Sequence, residues 1–104
     1  MAIGELGSKI VLEKFDLDEE EMTAAKKLIE KHAEKISRLV DYQELKLEMR
    51  IHKKEKNDHF EIRGQIMYNT GKVVSEKQDT NPFVALRDVL EKMQTELEHK
   101  IRKK

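Results

Sequence analysis

Apolar and polar positions along the chain follow two periods, one of about two residues and one of three to four, and the switches between them mark out the elements. "SKIVLEKF" (8–15) is a short β-prone run and predicts a first strand. "DLDEEEM" comes next. Asp18 followed three residues on by Glu21 has the spacing of a capping box, and the acidic cluster suits the positive end of a helix. From there to Leu39 the apolar side is Met22, Ala25, Leu28, Ile29, His32, Ile36 and Leu39, one stripe on one helical face. "DYQ" breaks this helix. "ELKLEMRIH" then alternates, with Leu45, Leu47, Met49 and Ile51 on one side and Lys46, Glu48, Arg50 and His52 on the other.

"KKEKND" reads as a polar turn, and "HFEIRGQIMYN" alternates again, with Phe60, Ile62, Ile66 and Tyr68 inward and Glu61, Arg63 and Gln65 outward. "NTGK" predicts a hairpin turn in which Gly71 takes positive φ, and "KVVSEKQ" a third, shorter strand of the same meander. Thr80 or Asn81 can cap a second helix, with Pro82 at its first position. Phe83, Leu86, Leu90, Met93, Leu97 and Ile101 then repeat at helical spacing, so this helix lies on a flat apolar surface. The inward face of the strands is the candidate. The order β-α-β-β-β-α predicts an α+β two-layer sandwich, with two helices on one face of a mostly antiparallel four-stranded sheet. The other sheet face, with Lys46, Glu48, Arg50, Glu61 and Arg63, is mixed in charge and expected to face water.

The chain's 104 residues suffice for one domain and one core, with flexible ends expected at 1–8 and 102–104. With no Trp, three Phe and two Tyr, that core must be mainly Leu, Ile, Val and Met. The absence of Cys removes disulfides, thiolate metal sites and Cys nucleophiles together. No apolar run approaches the roughly 20 residues that span a bilayer, and "MAIGELGSK" has no signal-peptide core, so a soluble cytoplasmic protein is expected. His32, His52, His59 and His99 are dispersed without ligand spacing, and His32 reads as a boundary residue of the first helix. The carboxylates of "DLDEEE" sit at a surface helix start, where no cleft shifts their pKa; the serines lack a nucleophile-elbow context; the four Gly form no phosphate loop. No enzyme, cofactor, metal or small-molecule substrate is expected.

Twenty-one basic and 21 acidic side chains cancel formally, but a surface field depends on where charges sit. In the first helix Lys27, Lys31, Lys35 and Arg38 form one basic row opposite the apolar stripe, with Glu30 and Glu34 on a neighbouring row. Like charges at that spacing repel, so the row is a solvated face of accidental charge order, is paired with those Glu, or has a ligand. The second helix adds Arg87, Lys92, Lys100, Arg102, Lys103 and Lys104, with Asp88–Lys92 and Glu96–Lys100 as expected surface pairs. Side by side, the two helices would present one basic ridge suited to RNA phosphates.

"VSEKQDTNPFVALRDVLEKMQTEL" and "EKISRLVDYQELKLEMRIHK" resemble the ribosome hibernation-promoting factor family, which includes the ribosome-associated inhibitor called protein Y. Phe83, Ala85, Leu86, Leu90, Lys92 and Leu97 sit where the family pattern wants them, and the resemblance covers roughly residues 9–101. It implies a fold like a double-stranded-RNA-binding domain, a place in the small-subunit channel used by mRNA and tRNA, and silencing of translation under stress. It places Lys26 and Lys92 at rRNA-contacting positions and His32 where a Lys is common; Pro82 and "DEEE" depart from the pattern. The chain resembles the family's short form. The expected RNA-binding set is therefore Lys26, Lys27, Lys31, Lys35, Arg38, Arg87, Lys92 and Lys100, and the expected partner is the small ribosomal subunit and its rRNA. The rival expectation is a protein-interaction module that self-associates as a stable dimer through an exposed sheet face or edge strand, with no RNA role; a weak homodimer is weighed beside the ribosome as a partner.

Overall fold

A computed structural model describes residues 9–102; the expected flexible ends lie outside these residues, apart from Arg102. The elements are β1 (Ile10–Glu13), α1 (Glu19–Leu39), β2 (Tyr42–His52), β3 (His59–Tyr68), β4 (Gly71–Asp79) and α2 (Pro82–Arg102). The strands form a four-stranded sheet in the order β1-β2-β3-β4. β1 runs parallel to β2, and β3 and β4 follow antiparallel. The crossover from β1 through α1 to β2 puts α1 over β2, and α2 lies across β3 and β4 beside α1. The molecule is thus an α+β two-layer sandwich. Because β4 runs the same way as β2, both helices run antiparallel to those strands and parallel to each other.

The helix ends are set by short-range chemistry. Asp18 accepts a hydrogen bond from the Glu21 N–H at 2.8 Å, and the Glu21 carboxylate accepts from the Asp18 N–H at 3.1 Å, closing the capping box at the start of α1. Asn81, not Thr80, caps α2: its Oδ1 accepts from Phe83 N–H at 2.8 Å, while Asp79 holds the Asn81 N–H at 2.8 Å. Between β1 and α1 the chain turns at Lys14, whose φ of 60° lies in the left-handed region.

One core cluster lies between the layers. Ile29, Ile36, Leu45, Leu47, Ile62, Ile66, Leu86, Leu90 and Leu97 are at most 1% exposed. Cross-strand register explains the alternation, since Leu45 faces Ile66, Met49 faces Ile62 and Ile51 faces Phe60 on the helix side. Leu47 faces Gly64, which lies beneath Val89 and Met93 and lets α2 approach the sheet closely.

Two local expectations are corrected. Gly71 does not lie in the left-handed region; it leaves room for Tyr68, whose Oη would stand 3.0 Å from an added Cβ. β2 begins at Tyr42, where a register shift before Glu44 leaves Gln43 as an extra residue and turns Tyr42 into the core.

Candidate nucleic-acid interface

α1 packs through Ala25, Ile29, His32, Ala33 and Ile36, so the helical repeat turns Lys27, Lys31, Lys35 and Arg38 outward. All four are exposed. Among the described residues Lys27, Lys31 and Lys35 form no ion pair, although Glu30 and Glu34 line a shallow groove with Lys27 and Lys31. Arg38 does pair, 3.4 Å from Glu34, in an exposed contact worth only a few tenths of a kcal/mol. Lys26 lies off this row, half-buried beside the apolar stripe.

The cations of α2 are placed differently. Arg87 lies 3.4 Å from Asp88, and Lys92 lies 3.7 Å from Glu96. The expected pairs Asp88–Lys92 and Glu96–Lys100 do not form, because each carboxylate has a different cation nearer to it. Lys100 is exposed without an ion pair to the described residues. The helices meet at His32, whose Nδ1 lies 3.4 Å from Gln94 Oε1. A groove of about 280 Å³ follows this seam, lined by His32, Lys35, Glu91, Gln94 and Thr95. A second groove on the β4 side of α2 is lined by Lys77, Asp88, Glu91, Lys92 and Thr95.

Glu91 and Thr95 are common to both grooves, so they stand between Lys35 and Lys92. The expected single ridge is therefore interrupted: the rotation of α2 on its apolar face aims Lys92 toward Lys77 of β4 and places a carboxylate beside α1. Burial at the seam holds His32 below the usual imidazole pKa. The hydrogen bond to Gln94 opposes this, Lys35 adds to it, Glu91 opposes it, and Lys31 adds a smaller push downward.

No protein-family model matches the chain, and no curated protein matches it. Solved structures do match. The N-terminal domain of Thermus thermophilus Protein Y superposes with a TM-score of 0.61 at 16% identity, covering 88% of this chain and 94% of that one. A ribosomal subunit interface protein from Coxiella burnetii does so with a TM-score of 0.63 at 10% identity, covering 91% and 97%. The fold is that of the protein Y N-terminal domain. The family resemblance carried by the α2 segment and this likeness of backbone thus agree.

On this protein Y fold the sheet face away from the helices is a lattice of paired charges. Lys46 lies 3.6 Å from Glu13, Lys14 and Arg50 lie 3.5 and 3.7 Å from Glu48, and His52 Nε2 lies 2.7 Å from Glu61. Arg63 stands in register between Glu48 and Glu76. The aromatic residues of β2 and β3, Tyr42, Phe60 and Tyr68, face the helices, so this surface has no platform for stacking bases. The register also brings His52 opposite His59, a juxtaposition that their spacing along the chain hides. Among the described residues no three His, Cys, Asp or Glu are grouped to hold a metal ion, and no helix is long and apolar enough to cross a membrane.

Proposed function

We propose that this protein binds ribosomal RNA on the small subunit and restrains translation by occupying the path of mRNA and tRNA. Catalysis plays no part in this mechanism: α1 is laid on phosphates and the sandwich body fills the channel. The observation that carries the reading is the row Lys27, Lys31, Lys35, exposed and without ion pairs among the described residues. One turn separates each cation from the next, roughly 6 Å along the axis, and such like-charge pairs repel unless an anion lies across them. The proteins that share the fold support the ribosome as partner, since one is a ribosomal subunit interface protein. Arg38 extends the same row, and Lys26 contributes from beside it, off the row. Arg87, Lys92 and Lys100 contribute from α2, the first two in competition with Asp88 and Glu96.

The test is co-sedimentation with purified bacterial small ribosomal subunits across a salt series. Binding should weaken steeply with salt, and Lys27→Glu, Lys31→Glu and Lys35→Glu together should abolish it while leaving the melting temperature within a few degrees. Single substitutions should each flatten the salt dependence by about one unit of slope, the share of one neutralised phosphate. A folded triple variant that sediments like the parent would remove α1 from the interface.

Self-association through a sheet edge has weaker structural support. β1 offers only four residues, and β4 turns Lys77 toward the helix layer, in register with Ile62, which opposes strand addition.

A further inference from the structure

His32 is buried at the seam of two helices, 5% exposed, in a structure whose other core side chains are almost all apolar. An amide oxygen can only accept, so the contact with Gln94 Oε1 puts the imidazole proton on Nδ1. Nε2 makes no hydrogen bond to a described residue, yet no fully buried polar side-chain atom among them lacks a partner. Nε2 therefore reaches the solvent of the groove. The charged groups around the ring are Lys31 and Lys35 on its own helix and Glu91 on α2; no charged group of the sheet acts on it. With a neutral imidazole the groove holds one cation, Lys35, and one anion, Glu91.

We propose that His32 is a proton-dependent contact for RNA phosphate, which gives the seam between α1 and α2 a net positive charge when the ring is protonated. The proposal rests on the RNA-binding reading above. In the free protein the apolar side of the seam keeps the ring neutral near neutral pH. A phosphate laid across Lys31 and Lys35 adds a negative charge beside the groove and favours the imidazolium, so binding takes up a proton. The sign follows from linkage: a ring whose pKa is higher in the complex than in the free protein makes the complex tighter as pH falls. The effect begins as pH falls through the bound-state pKa and is complete below the free-state pKa. Glu91 acts in the opposite sense, because its carboxylate repels phosphate and pairs with the imidazolium.

The experiment measures binding to purified small ribosomal subunits across a salt series at about pH 7.5 and about pH 5.5, the range in which imidazole titrates. For the parent protein the salt slope should steepen by about one unit at the lower pH, the signature of one added phosphate contact. His32→Gln should show the same slope at both pH values. Glu91→Gln should bind more tightly than the parent at the higher pH. A direct readout on the unmodified protein avoids any folding question: the His32 ring is titrated by NMR alone and with a short RNA duplex, and its pKa should rise on binding. A His32 pKa that stays or falls with RNA bound, or a His32→Gln variant that keeps the parent's pH response, overturns the proposal. Salt-sensitive but pH-independent binding by the parent sinks the His32 contact alone. No salt-sensitive binding at either pH sinks the RNA-binding reading with it.

Discussion

Replacing Gly64 with alanine tests how α2 is seated, and through it the geometry of the seam. Gly64 is buried in the middle of β3, between Leu47 and Ser75 in register, with α2 directly above. An added Cβ would stand 2.6 Å from Met93 Cε, 2.7 Å from Val89 Cγ1 and 2.9 Å from Met93 Sδ. Carbon atoms pack best at about 3.5–4.0 Å, so the shortfall is close to 1 Å. The Met93 thioether can swing aside, because its torsions are soft. Val89 cannot, since a β-branched side chain in a helix has essentially one χ1 rotamer, and this one is fully buried. The helix must lift or the valine must leave its rotamer.

Overpacking of this kind costs about 1–3 kcal/mol, and the lower chain entropy of alanine in a strand returns about 0.5–1 kcal/mol. A net loss of about 1–2 kcal/mol is expected, which lowers the melting temperature by roughly 5–15 °C for a chain of this size. Urea unfolding followed by circular dichroism should show a lower midpoint at unchanged m-value. Adding Val89→Ala should recover part of the loss, with a coupling of about 0.5–3 kcal/mol. A Gly64→Ala protein as stable as the parent would refute the close seating of α2 on β3.

Three further outcomes follow from single contacts. Asp18→Ala should destabilise the fold by about 1 kcal/mol, whereas Asp18→Asn should lose little, because only the alanine abandons the Glu21 N–H; paired thermal melts compare them. The His32 pKa is lowered in the folded state, so its contribution to stability is complete above the ordinary imidazole value of about 6.5 and is lost as pH falls through it toward the folded value. Denaturant midpoints should fall over that range and fall less in His32→Gln. Lys77→Val should remove an inward charge from the β4 edge and increase self-association, read as a mass increase by light scattering behind size-exclusion chromatography; an unchanged monomer mass would show that Lys77 does not guard the edge.

The element order is legible because each boundary has a local cause. The Asp18–Glu21 box, the Asn81–Pro82 start of α2 and the strict alternation of β2 and β3 act within a few residues. What cannot be read from the chain depends on rotation and register. The spacing of Arg87, Asp88, Lys92 and Glu96 allows two sets of ion pairs within α2, and side-chain rotamers, which spacing does not set, choose between them. Periodicity places His32 on the apolar stripe, but only the meeting of the helices at Gln94 makes it a seam residue. Lys77 is one charge among several in a short strand until its register with Ile62 aims it at the helix layer. Tyr42 reads as part of a helix-breaking tripeptide, because the extra residue Gln43 shifts the alternation by one.

A formal charge of zero is compatible with an RNA-facing surface because the charges are not mixed evenly. On the outer sheet face, the carboxylates of Glu13 and Glu48 lie 3.5 to 3.7 Å from lysine or arginine cations, so their fields largely cancel within a few ångströms. On α2, Arg87 and Lys92 are similarly answered by Asp88 and Glu96. On α1, Lys27, Lys31 and Lys35 are not paired with any described residue, and at physiological salt their field persists over about 8 Å, far enough to reach a phosphate at the surface. Glu30 and Glu34 flank the row and temper that field, which favours an affinity that is modest and steep in salt. In the proposed complex, with α1 on RNA, the paired sheet face is turned away from it. On that proposal the orientation of the domain would be decided by which charges lack a partner among the described residues, and the total of basic residues would have no say in it.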